Sequence, residues 1–316
     1  MCEEYGMTTR LGLGIPQMKQ YRIGRDIPEV AGAAERAGYE SLWVLERIAF
    51  PENPRQGLYN IPGVPWPDSY RSVADPLVAL TLAAAATERV RLGTSVLVAP
   101  LHVPFQLARS LASLDAASGG RVVAGLGTGW SLDEYGAAAV APFEERGQVL
   151  DELIEVCRAV WGPDPVTVDA KLTTLAASEV GPKPAGPLPI LLPAGSRRAA
   201  RRLVDHADGW MPVALGAGKL AEDWAKLQEL AAERGRTQPL EVVVRVNAVC
   251  TDEPYTAADR RPFQGSIPQL VEDLAAHVEA TGLPEFLFDL QDATGDASQL
   301  TERALELYEA VRAAGL

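Results

Sequence analysis

Short apolar, β-branched runs alternate with longer alanine- and leucine-rich runs through nearly the whole chain. The short runs have the length of single strands, and the longer runs place apolar residues three or four positions apart, as amphipathic helices do. Strands that alternate regularly with helices form a parallel sheet with a helix in each connection. The pattern therefore predicts an α/β fold built from repeated βα units.

Eight βα pairs can be delimited in this way. The predicted strands cover residues 10–16, 39–46, 90–98, 121–126, 188–195, 208–213, 240–249 and 285–290. The predicted helices cover residues 26–38, 75–88, 103–118, 143–160, 196–207, 219–235, 266–281 and 297–314. Asp26 and Asp75 are the predicted N-caps of the first two helices, because a carboxylate at that position accepts hydrogen bonds from free amides. Eight pairs predict a closed (β/α)8 barrel, the TIM-barrel fold.

Two insertions interrupt the alternation, at about residues 46–74 and 161–187, and we expect residues 1–316 to form a single domain. The first insertion contains FPENPRQGLYNIPGVPWPDSYR, in which prolines and aromatic residues are too frequent for a simple linker. A stiff, apolar segment beside the strand ends is typical of a lid or a pocket wall.

The composition narrows the class of partner. The net charge of −13, spread without a basic block, disfavours nucleic acid and anionic membranes. No apolar run reaches the roughly 20 residues that span a bilayer, and the start of the chain, MCEEYGMTTR, lacks the features of a secretion signal. We therefore expect a cytoplasmic protein with a small-molecule substrate. Cys2, Cys157 and Cys250 are far apart and no histidine pair has metal-ligand spacing, so we expect reduced thiols and no metal site.

Ligands of a (β/α)8 barrel bind at the carboxyl ends of the strands, where loops lead into helices. The most informative of these loops follows the fourth strand, in GRVVAGLGTGWSLDEY, residues 120–135. Gly125, Gly127 and Gly129 resemble a dinucleotide fingerprint, but Trp130 stands where that fingerprint needs glycine or alanine. A nicotinamide-type loop is therefore disfavoured. Close approach of a planar or anionic ligand to the glycine backbone stays open, as does a simple tight turn.

Other polar residues fall at strand ends as well. Gly195 and Ser196 precede a helix after the fifth strand, where free amides and the helix dipole attract an anion such as a phosphate. Glu46 and Arg47 follow the second strand, and His102 follows the third. By position these three are the nearest candidates for catalytic groups, although a structural ion pair or a surface position explains them as well.

Two groups of charged residues have simpler explanations. Asp133 and Glu134 lie in the first turn of a helix, where acidic side chains stabilise the helix dipole, although Asp133 is also a candidate cofactor contact. Arg198, Arg201 and Arg202 are expected to form a solvated helix face that pairs with acids on neighbouring elements.

Several motifs occur together and in a fixed order. They are GYESLWVLER, DPLVALTLAAAATERVRLGTSVLVAP, FQLARSLASLDAASGGRVVAGLGTGW, ERGQVLDELIEVCRAVW, GPKPAGPLPILLPAG and HADGWMP. In combination they resemble the bacterial luciferase-like family, and specifically its deazaflavin (coenzyme F420)-dependent oxidoreductases from actinobacteria. The resemblance is strong over residues 10–215 and weaker in PFQGSIPQLVEDLAAHVEATGLPEFLFDL.

The resemblance implies a barrel that binds F420, or alternatively FMN, at the carboxyl ends of its strands. In that family a serine, glycine or cysteine followed by valine or isoleucine forms a cis peptide behind the central ring, and Ser95–Val96 match this pattern. The implied cofactor contacts all lie at strand ends: Ser95, Val96, Val98, Gly127, Thr128, Gly129, Asp133, Ala194, Gly195 and Ser196. The implied substrate contacts are aromatic: Trp130, Trp66, Tyr59 and Phe50. Family analogy also suggests a homodimer.

The chain departs from its better-understood relatives at two positions. Where those deazaflavin enzymes carry Asp-His after the second strand, this chain has Glu46 and Arg47. Where one sugar-phosphate-oxidising branch carries an acidic proton donor after GTG, this chain has Trp130. The familiar acid/base pair is therefore absent, and Glu46, Arg47 and His102 remain the candidate catalytic residues.

Three functions stay open. The first is hydride transfer between the C5 atom of F420 and a small, fairly apolar organic substrate, for which the protein mainly orients two rings and excludes water. The second is an FMN-dependent monooxygenase on the same fold. The third is a non-catalytic cofactor-binding relative, which the missing acid/base pair favours. A hydrolase with carboxylates at Glu46 and Asp133 is disfavoured, because the glycine loop and the anion site would then have no purpose.

Overall fold

The computed structural model describes residues 8–316, so Cys2 and most of MCEEYGMTTR lie outside the described residues. The strands are β1 (Arg10–Gly14), β2 (Ser41–Val44), β3 (Arg91–Thr94), β4 (Leu97–Val98), β5 (Val122–Gly127), β6 (Val166–Asp169), β7 (Thr174–Ser178), β8 (Ile190–Leu192), β9 (Gly209–Trp210), β10 (Glu241–Val242), β11 (Val244–Asn247), β12 (Val249–Cys250), β13 (Gln264–Gly265) and β14 (Glu285–Asp289). The α-helices are α1 (Ile23–Ala37), α2 (Pro76–Ala86), α3 (Pro104–Ser118), α4 (Leu132–Ala138), α5 (Arg146–Trp161), α6 (Arg197–His206), α7 (Ala217–Glu233), α8 (Ile267–Thr281) and α9 (Ala297–Ala313).

Parallel pairing closes the strands into a barrel. The strand order is β1, β2, β3, β5, β8, β9, β10 with β11, and β14, which pairs back onto β1. Only Val243 separates β10 from β11, so these two strands occupy one position, and β4 continues the third position by pairing with β5. Within residues 8–316 the barrel therefore has eight strand positions with helices between them, which confirms the predicted α/β TIM-barrel class.

Both predicted insertions lie outside this regular alternation. Residues 46–74 contain two short 3-10 turns, Leu58–Asn60 and Asp68–Arg71, and we call this segment the lid. Residues 161–187 contain an antiparallel hairpin of β6 and β7, which the sequence analysis did not assign. Only β6 buries alternate residues, whereas β7 is largely exposed, so the hairpin has little of the alternation by which strands are recognised.

The first two helices test the predicted caps. Asp75 caps α2 as predicted, because its carboxylate accepts hydrogen bonds from the amides of Leu77 and Val78 at 2.9 and 3.0 Å. The prediction for Asp26 is wrong, since α1 begins at Ile23. Asp26 lies inside the first turn and accepts a hydrogen bond from the amide of Arg22 at 2.7 Å, so its side chain stabilises the helix start from within the helix.

Apolar side chains fill the inside of the barrel. This inner plug consists of Trp43, Val123, Leu191, Met211, Val243 and Leu287. Below it, at the amino ends of the strands, the buried carboxylate of Glu285 binds Arg10, Ser41 and Arg91. The plug therefore separates a structural ion-pair cluster from the carboxyl ends of the strands, where the candidate site residues lie.

Membrane-spanning helices, metal-binding groups and reactive thiols would each narrow the class of protein. In the described part of the chain no helix is long and apolar enough to cross a bilayer, and no group of three or more His, Cys, Asp and Glu residues could hold a metal ion. Cys157 and Cys250 are buried free thiols, and burial raises the pKa of both. A raised thiol pKa disfavours the thiolate, so neither cysteine has the environment of a nucleophile.

Candidate active site

The predicted cis peptide is present at the carboxyl end of β3, between β3 and β4. The bond between Ser95 and Val96 is cis, and Val96 packs against the inner plug. The exit of β5 lies close beside it, because a Cβ atom added to Gly127 would come within 2.7 Å of Val96 Cγ2. Gly129 has φ +67°, and a Cβ atom there would come within 2.5 Å of Val98 Cγ1. Both glycines are thus required where the end of β5 and the loop after it pack against Val96 and Val98.

Glu46 and His102 form a hydrogen-bonded pair, although they follow different strands. Glu46 Oε1 lies 2.8 Å from His102 Nε2, and Glu46 Oε2 accepts a hydrogen bond from the amide of Val98 at 2.5 Å. The carboxylate is 2% exposed, whereas the imidazole is 24% exposed. The Asp-His sequence of the better-known enzymes is absent, but the structure assembles a carboxylate and an imidazole from two separate loops.

The environment of His102 favours its charged form. Burial lowers the pKa of His102, but the hydrogen bond to Glu46 and the negative charges of Glu46 and Asp75 together raise it further, so that it lies above its ordinary value of 6.5. The imidazolium therefore persists to higher pH than in an isolated histidine. A group that still carries its proton near neutral pH is suited to general acid catalysis.

Arg47 contacts a second carboxylate, on the helix after the glycine loop. Its Nη1 atom lies 2.8 Å from Glu134 Oε2, and the two side chains are 10% and 3% exposed. Glu134 Oε1 also accepts a hydrogen bond from the amide of Ile48 at 2.9 Å. Burial raises the pKa of Glu134 above its ordinary value, despite the opposing effects of Arg47 and of backbone amides in the lid. Glu134 is thus more than a first-turn acid, because it ties the lid to α4.

Further hydrogen bonds attach the lid to the same helix. Asp133 Oδ2 accepts a hydrogen bond from the amide of Arg55 at 2.9 Å, and Gln56 Oε1 accepts one from the amide of Leu132 at 2.7 Å. Trp66 Nε1 donates to the carbonyl of Gln56 at 3.0 Å. Asp133 therefore lies at the contact between lid and helix, and its role as a cofactor contact stays a prediction.

The four predicted substrate contacts come together in one aromatic cluster. Trp130 contacts Trp66 and Tyr59, with ring centroids 4.9 and 6.0 Å apart, and Phe50 contacts Trp66 at 6.0 Å. The guanidinium of Arg47 lies 5.0 Å from the ring centroid of Trp130 and 5.8 Å from that of Trp66. The cluster joins the lid to the β5 loop and forms one wall of the mouth.

The sequence analysis missed Arg245, which lies on β11. Its Nη1 atom donates hydrogen bonds to the carbonyl oxygen and the hydroxyl of Ser95, and its Nη2 atom lies 2.6 Å from Asp289 Oδ2. Asp289 falls within the predicted strand 285–290, and the sequence analysis assigned it no role. The signal that could have identified Arg245 is a single charge within the otherwise apolar run VVVRV.

A comparison with known families identifies the family of this barrel. A family model described as luciferase-like monooxygenase matches residues 11–315. The chain belongs to this family. The match confirms the family resemblance inferred from the ordered motifs, and it covers all eight strand positions of the luciferase-like barrel described above.

Sequence relatives of this luciferase-like protein include proteins with and without a named activity. An uncharacterised protein from Mycobacterium tuberculosis is 31% identical over 289 residues, covering 88% of this chain and 93% of the relative. An F420-dependent glucose-6-phosphate dehydrogenase from Kineococcus radiotolerans is 28% identical over 271 residues, covering 83% of this chain and 74% of the relative. The luciferase-like family thus has F420-dependent members among the relatives of this chain.

Solved structures support the fold. An F420-dependent secondary alcohol dehydrogenase, in complex with an F420–acetone adduct, matches with a TM-score of 0.75 at 20% identity, over 97% of this chain and 100% of that one. The oxygenating constituent of 3,6-diketocamphane monooxygenase from Pseudomonas putida, in complex with FMN, matches with a TM-score of 0.73 at 16% identity, over 96% of this chain and 98% of that one. Luciferase-like barrels of both cofactor classes therefore share this fold.

The exit of β8 has the features of an anion site in this luciferase-like barrel. A Cβ atom added to Gly195 would meet no atom within 4 Å, so the backbone beside Ala194 is open. Ser196 caps α6, and its hydroxyl accepts a hydrogen bond from the amide of Ala199 at 3.2 Å. Arg202 binds Asp151 on α5, as expected for this helix face, but its side chain is buried, so the prediction of a solvated position is wrong for this residue. The open backbone at a helix start can accept the phosphate of a cofactor.

Proposed function

We propose that this protein is an F420-dependent oxidoreductase that transfers a hydride between the deazaflavin and a small, fairly apolar organic substrate. The observation that carries the proposal is the Glu46–His102 pair, with 2.8 Å between Oε1 and Nε2, at the mouth of a luciferase-like barrel. The relationship to an F420-dependent glucose-6-phosphate dehydrogenase supports the choice of cofactor. Reduction of a carbonyl needs a proton as well as a hydride, and the pair supplies a proton donor.

The residues present fit such a cofactor. Ser95 and Val96 provide the surface for the ring, Thr128 and Gly129 lie at the adjoining β5 exit, and the open backbone at Gly195 accepts the phosphate. When bound there, F420 would supply the transfer of a hydride at its ring carbon C5. The protein's own contribution is to hold the two reactants in register and to keep water away from them.

His102 is the proton donor in this proposal. Its Nε2 atom faces Glu46, so Nδ1 is the ring nitrogen that can face a substrate. As the imidazolium, His102 donates the Nδ1 proton to the carbonyl oxygen of a substrate that is being reduced, and in the opposite direction the neutral imidazole accepts a proton from an alcohol. Glu46 fixes the ring orientation and stabilises the charged form.

Titration of the purified protein with each cofactor tests the proposal. We expect a saturable fluorescence response to F420, because the ring surface and the anion site both suit a deazaflavin. Tight binding of FMN with no response to F420 would contradict the proposal and would favour the FMN-dependent monooxygenase. Binding of F420 without turnover of any member of a broad panel of carbonyls and alcohols would favour the non-catalytic relative.

The homodimer suggested by family analogy is proposed as well. Light scattering coupled to gel filtration would measure the mass of the protein in solution and so its oligomeric state.

Replacing Trp130 with alanine is expected to impair turnover more than cofactor binding. Trp130 contacts Trp66 and Tyr59 of the lid, so its loss leaves the substrate side of the mouth incomplete. A misplaced substrate can lower kcat/KM on the order of 10- to 100-fold. Steady-state kinetics and cofactor titration measure the two effects separately.

Trp224→Ala is the control for this change, because Trp224 stacks on Trp210 from α7, outside the mouth. It removes a side chain of the same size from another part of the chain. A loss of cofactor affinity in Trp130→Ala that exceeds the loss of turnover would mean that Trp130 contacts the cofactor rather than the substrate.

A further inference from the structure

Strand alternation places Arg245 and Asp289 inside the barrel. Val243 and Leu287 belong to the inner plug, whereas their chain neighbours Val244 and Phe288 pack outward, in the core between barrel and helices. Because successive residues of a strand point to opposite faces, Arg245 and Asp289 occupy the next inward positions toward the carboxyl ends. They therefore lie one layer above the plug, on the floor of the barrel mouth.

Arg245 spans the barrel from this position. Its strand and that of Ser95 are separated by β14, β1 and β2 in the barrel order, yet Nη1 of Arg245 donates to the carbonyl oxygen of Ser95 and, at 3.2 Å, to its hydroxyl. Nε donates to Asn247 Oδ1 at 2.8 Å, and Nη2 lies 2.6 Å from Asp289 Oδ2. The side chain is 12% exposed. Each guanidinium nitrogen thus has a partner, and one of these partners is the surface that the proposed function assigns to the ring.

The other oxygen of Asp289 continues the network toward the Glu46–His102 pair. Gln291 Nε2 donates to Asp289 Oδ1 at 3.1 Å, and Gln291 Oε1 accepts a hydrogen bond from the amide of Gln17 at 2.8 Å. Gln17 Oε1 in turn accepts a hydrogen bond from the amide of Leu45 at 2.7 Å. Leu45 directly precedes Glu46. One chain of hydrogen bonds therefore connects the Ser95 carbonyl to the strand end that carries the carboxylate of Glu46.

We propose that Arg245 is a positioning residue, which holds the Ser95–Val96 peptide in place for the cofactor ring and is itself oriented by Asp289 and Asn247. The inference rests on the proposed function, because it assigns Arg245 to the surface that supports the ring. Stability alone does not require an ion pair at this position, because apolar side chains of similar volume often stabilise a fold as well as a buried ion pair does. The planar fork of arginine, by contrast, can hold three partners in fixed directions at once.

Arg245→Lys tests this role, because lysine keeps the positive charge and loses the fork. We expect the variant to bind the cofactor on the order of 10-fold more weakly, as follows from losing a charge-assisted hydrogen bond. We also expect a shifted absorption spectrum and reduction potential of the bound cofactor. In the protein without cofactor, the amides of residues 95–98 should exchange hydrogen faster than in the wild type. Asp289→Asn is the second variant, with the same expected direction and a smaller effect.

Arg91→Lys is the matched control. Arg91 is also a half-buried arginine that binds two carboxylates inside the same barrel, Glu241 and Glu285, but it lies at the amino ends of the strands, below the plug. We expect it to change the free energy of unfolding without changing the spectrum, the potential or the exchange of residues 95–98. Circular dichroism and urea unfolding of all variants establish that the fold is retained.

The outcomes separate the inference from the proposed function. If the wild type binds F420 or FMN and both Arg245→Lys and Asp289→Asn leave affinity, spectrum, potential and exchange unchanged, Arg245 is only structural and the inference is overturned. An effect of Arg91→Lys on the bound cofactor equal to that of Arg245→Lys would overturn it too. If the wild type binds neither cofactor, the proposed function fails, and the inference is withdrawn with it.

Discussion

Replacing His102 with alanine is expected to lower the rate of carbonyl reduction by about 10²- to 10⁴-fold, the usual contribution of a general acid. The expected loss is in kcat, because the proton reaches the substrate oxygen only as the reaction proceeds. Cofactor affinity should change little, since the predicted ring surface at Ser95 and Val96 is formed by another part of the loop. Oxidation of reduced F420 in the presence of a carbonyl substrate, followed by absorbance, measures the rate.

The pH dependence of the same reaction tests the role of Glu46. Because the hydrogen bond and the charge of Glu46 raise the pKa of His102 above 6.5, the wild-type reduction rate should fall only as pH rises through that raised value. In Glu46→Gln the negative charge is lost while burial still lowers the pKa of His102. The falling limb of the pH profile should therefore move to lower pH, with a smaller loss of rate at acidic pH than at neutral pH.

His206→Ala is the matched control, because His206 ends α6 and is exposed, away from the Glu46 pair. It removes an imidazole from the same chain and should leave the rate and the pH profile unchanged. A His102→Ala variant that reduces substrate within about threefold of the wild-type rate would rule out general acid catalysis by this residue. A pH profile unaltered by Glu46→Gln would show that Glu46 does not control the protonation of His102.

The fold could be predicted from sequence because the barrel is encoded locally. Each βα unit shows its own change of hydrophobic period, and the unit after residue 74 even shows its cap at Asp75. The hairpin of β6 and β7 was missed, since β7 is largely exposed and carries no alternation. Asp26 was misplaced because a first-turn carboxylate and an N-cap have the same local sequence signature.

The site was harder to predict, because its pairs are formed by residues far apart in the chain. Glu46 and His102 are 56 positions apart, Arg47 and Glu134 are 87 apart, and Ser95 and Arg245 are 150 apart. The barrel rule locates the strand ends, but it does not say which of the loops meet. Glu46 and His102 were therefore recognised as candidates one by one, while their pairing, and the role of Arg245, became visible only in the structure.

The ion pair between Arg47 and Glu134 gives the largest expected effect on stability. Arg47→Met leaves the Glu134 carboxylate, which is 3% exposed, without its cation. Removing one partner of a buried pair costs about 3–5 kcal/mol of unfolding free energy. Protonation of Glu134 limits that cost, because burial already raises its pKa above the ordinary 4.5 and the loss of Arg47 raises it further. The variant's loss of unfolding free energy relative to the wild type should therefore grow as pH rises through the raised pKa of Glu134, because the uncompensated carboxylate is then charged.

Replacing both partners, in Arg47→Met with Glu134→Leu, is expected to cost less than either single change. The double variant buries no charge at this point, and its apolar side chains lie beside Trp66 and Trp130. A smaller loss remains, because the amide of Ile48 no longer has Glu134 as its acceptor, which costs about 1–3 kcal/mol if the amide stays buried. Glu29→Gln, in the exposed Arg25–Glu29 pair, is the control and should stay within about 0.5 kcal/mol of the wild type.

Urea unfolding measures the global free energy, and trypsin cleavage after Arg55 measures opening of the lid. Because Glu134 holds both Arg47 and the amide of Ile48, loss of the pair can detach the lid while the barrel stays folded. Cleavage after Arg55 should then rise in Arg47→Met even where the urea midpoint moves little, and it should rise less in the double variant. Wild-type stability together with wild-type resistance at Arg55 would show that the pair secures neither barrel nor lid, leaving the lid held by contacts such as Asp133 with the amide of Arg55.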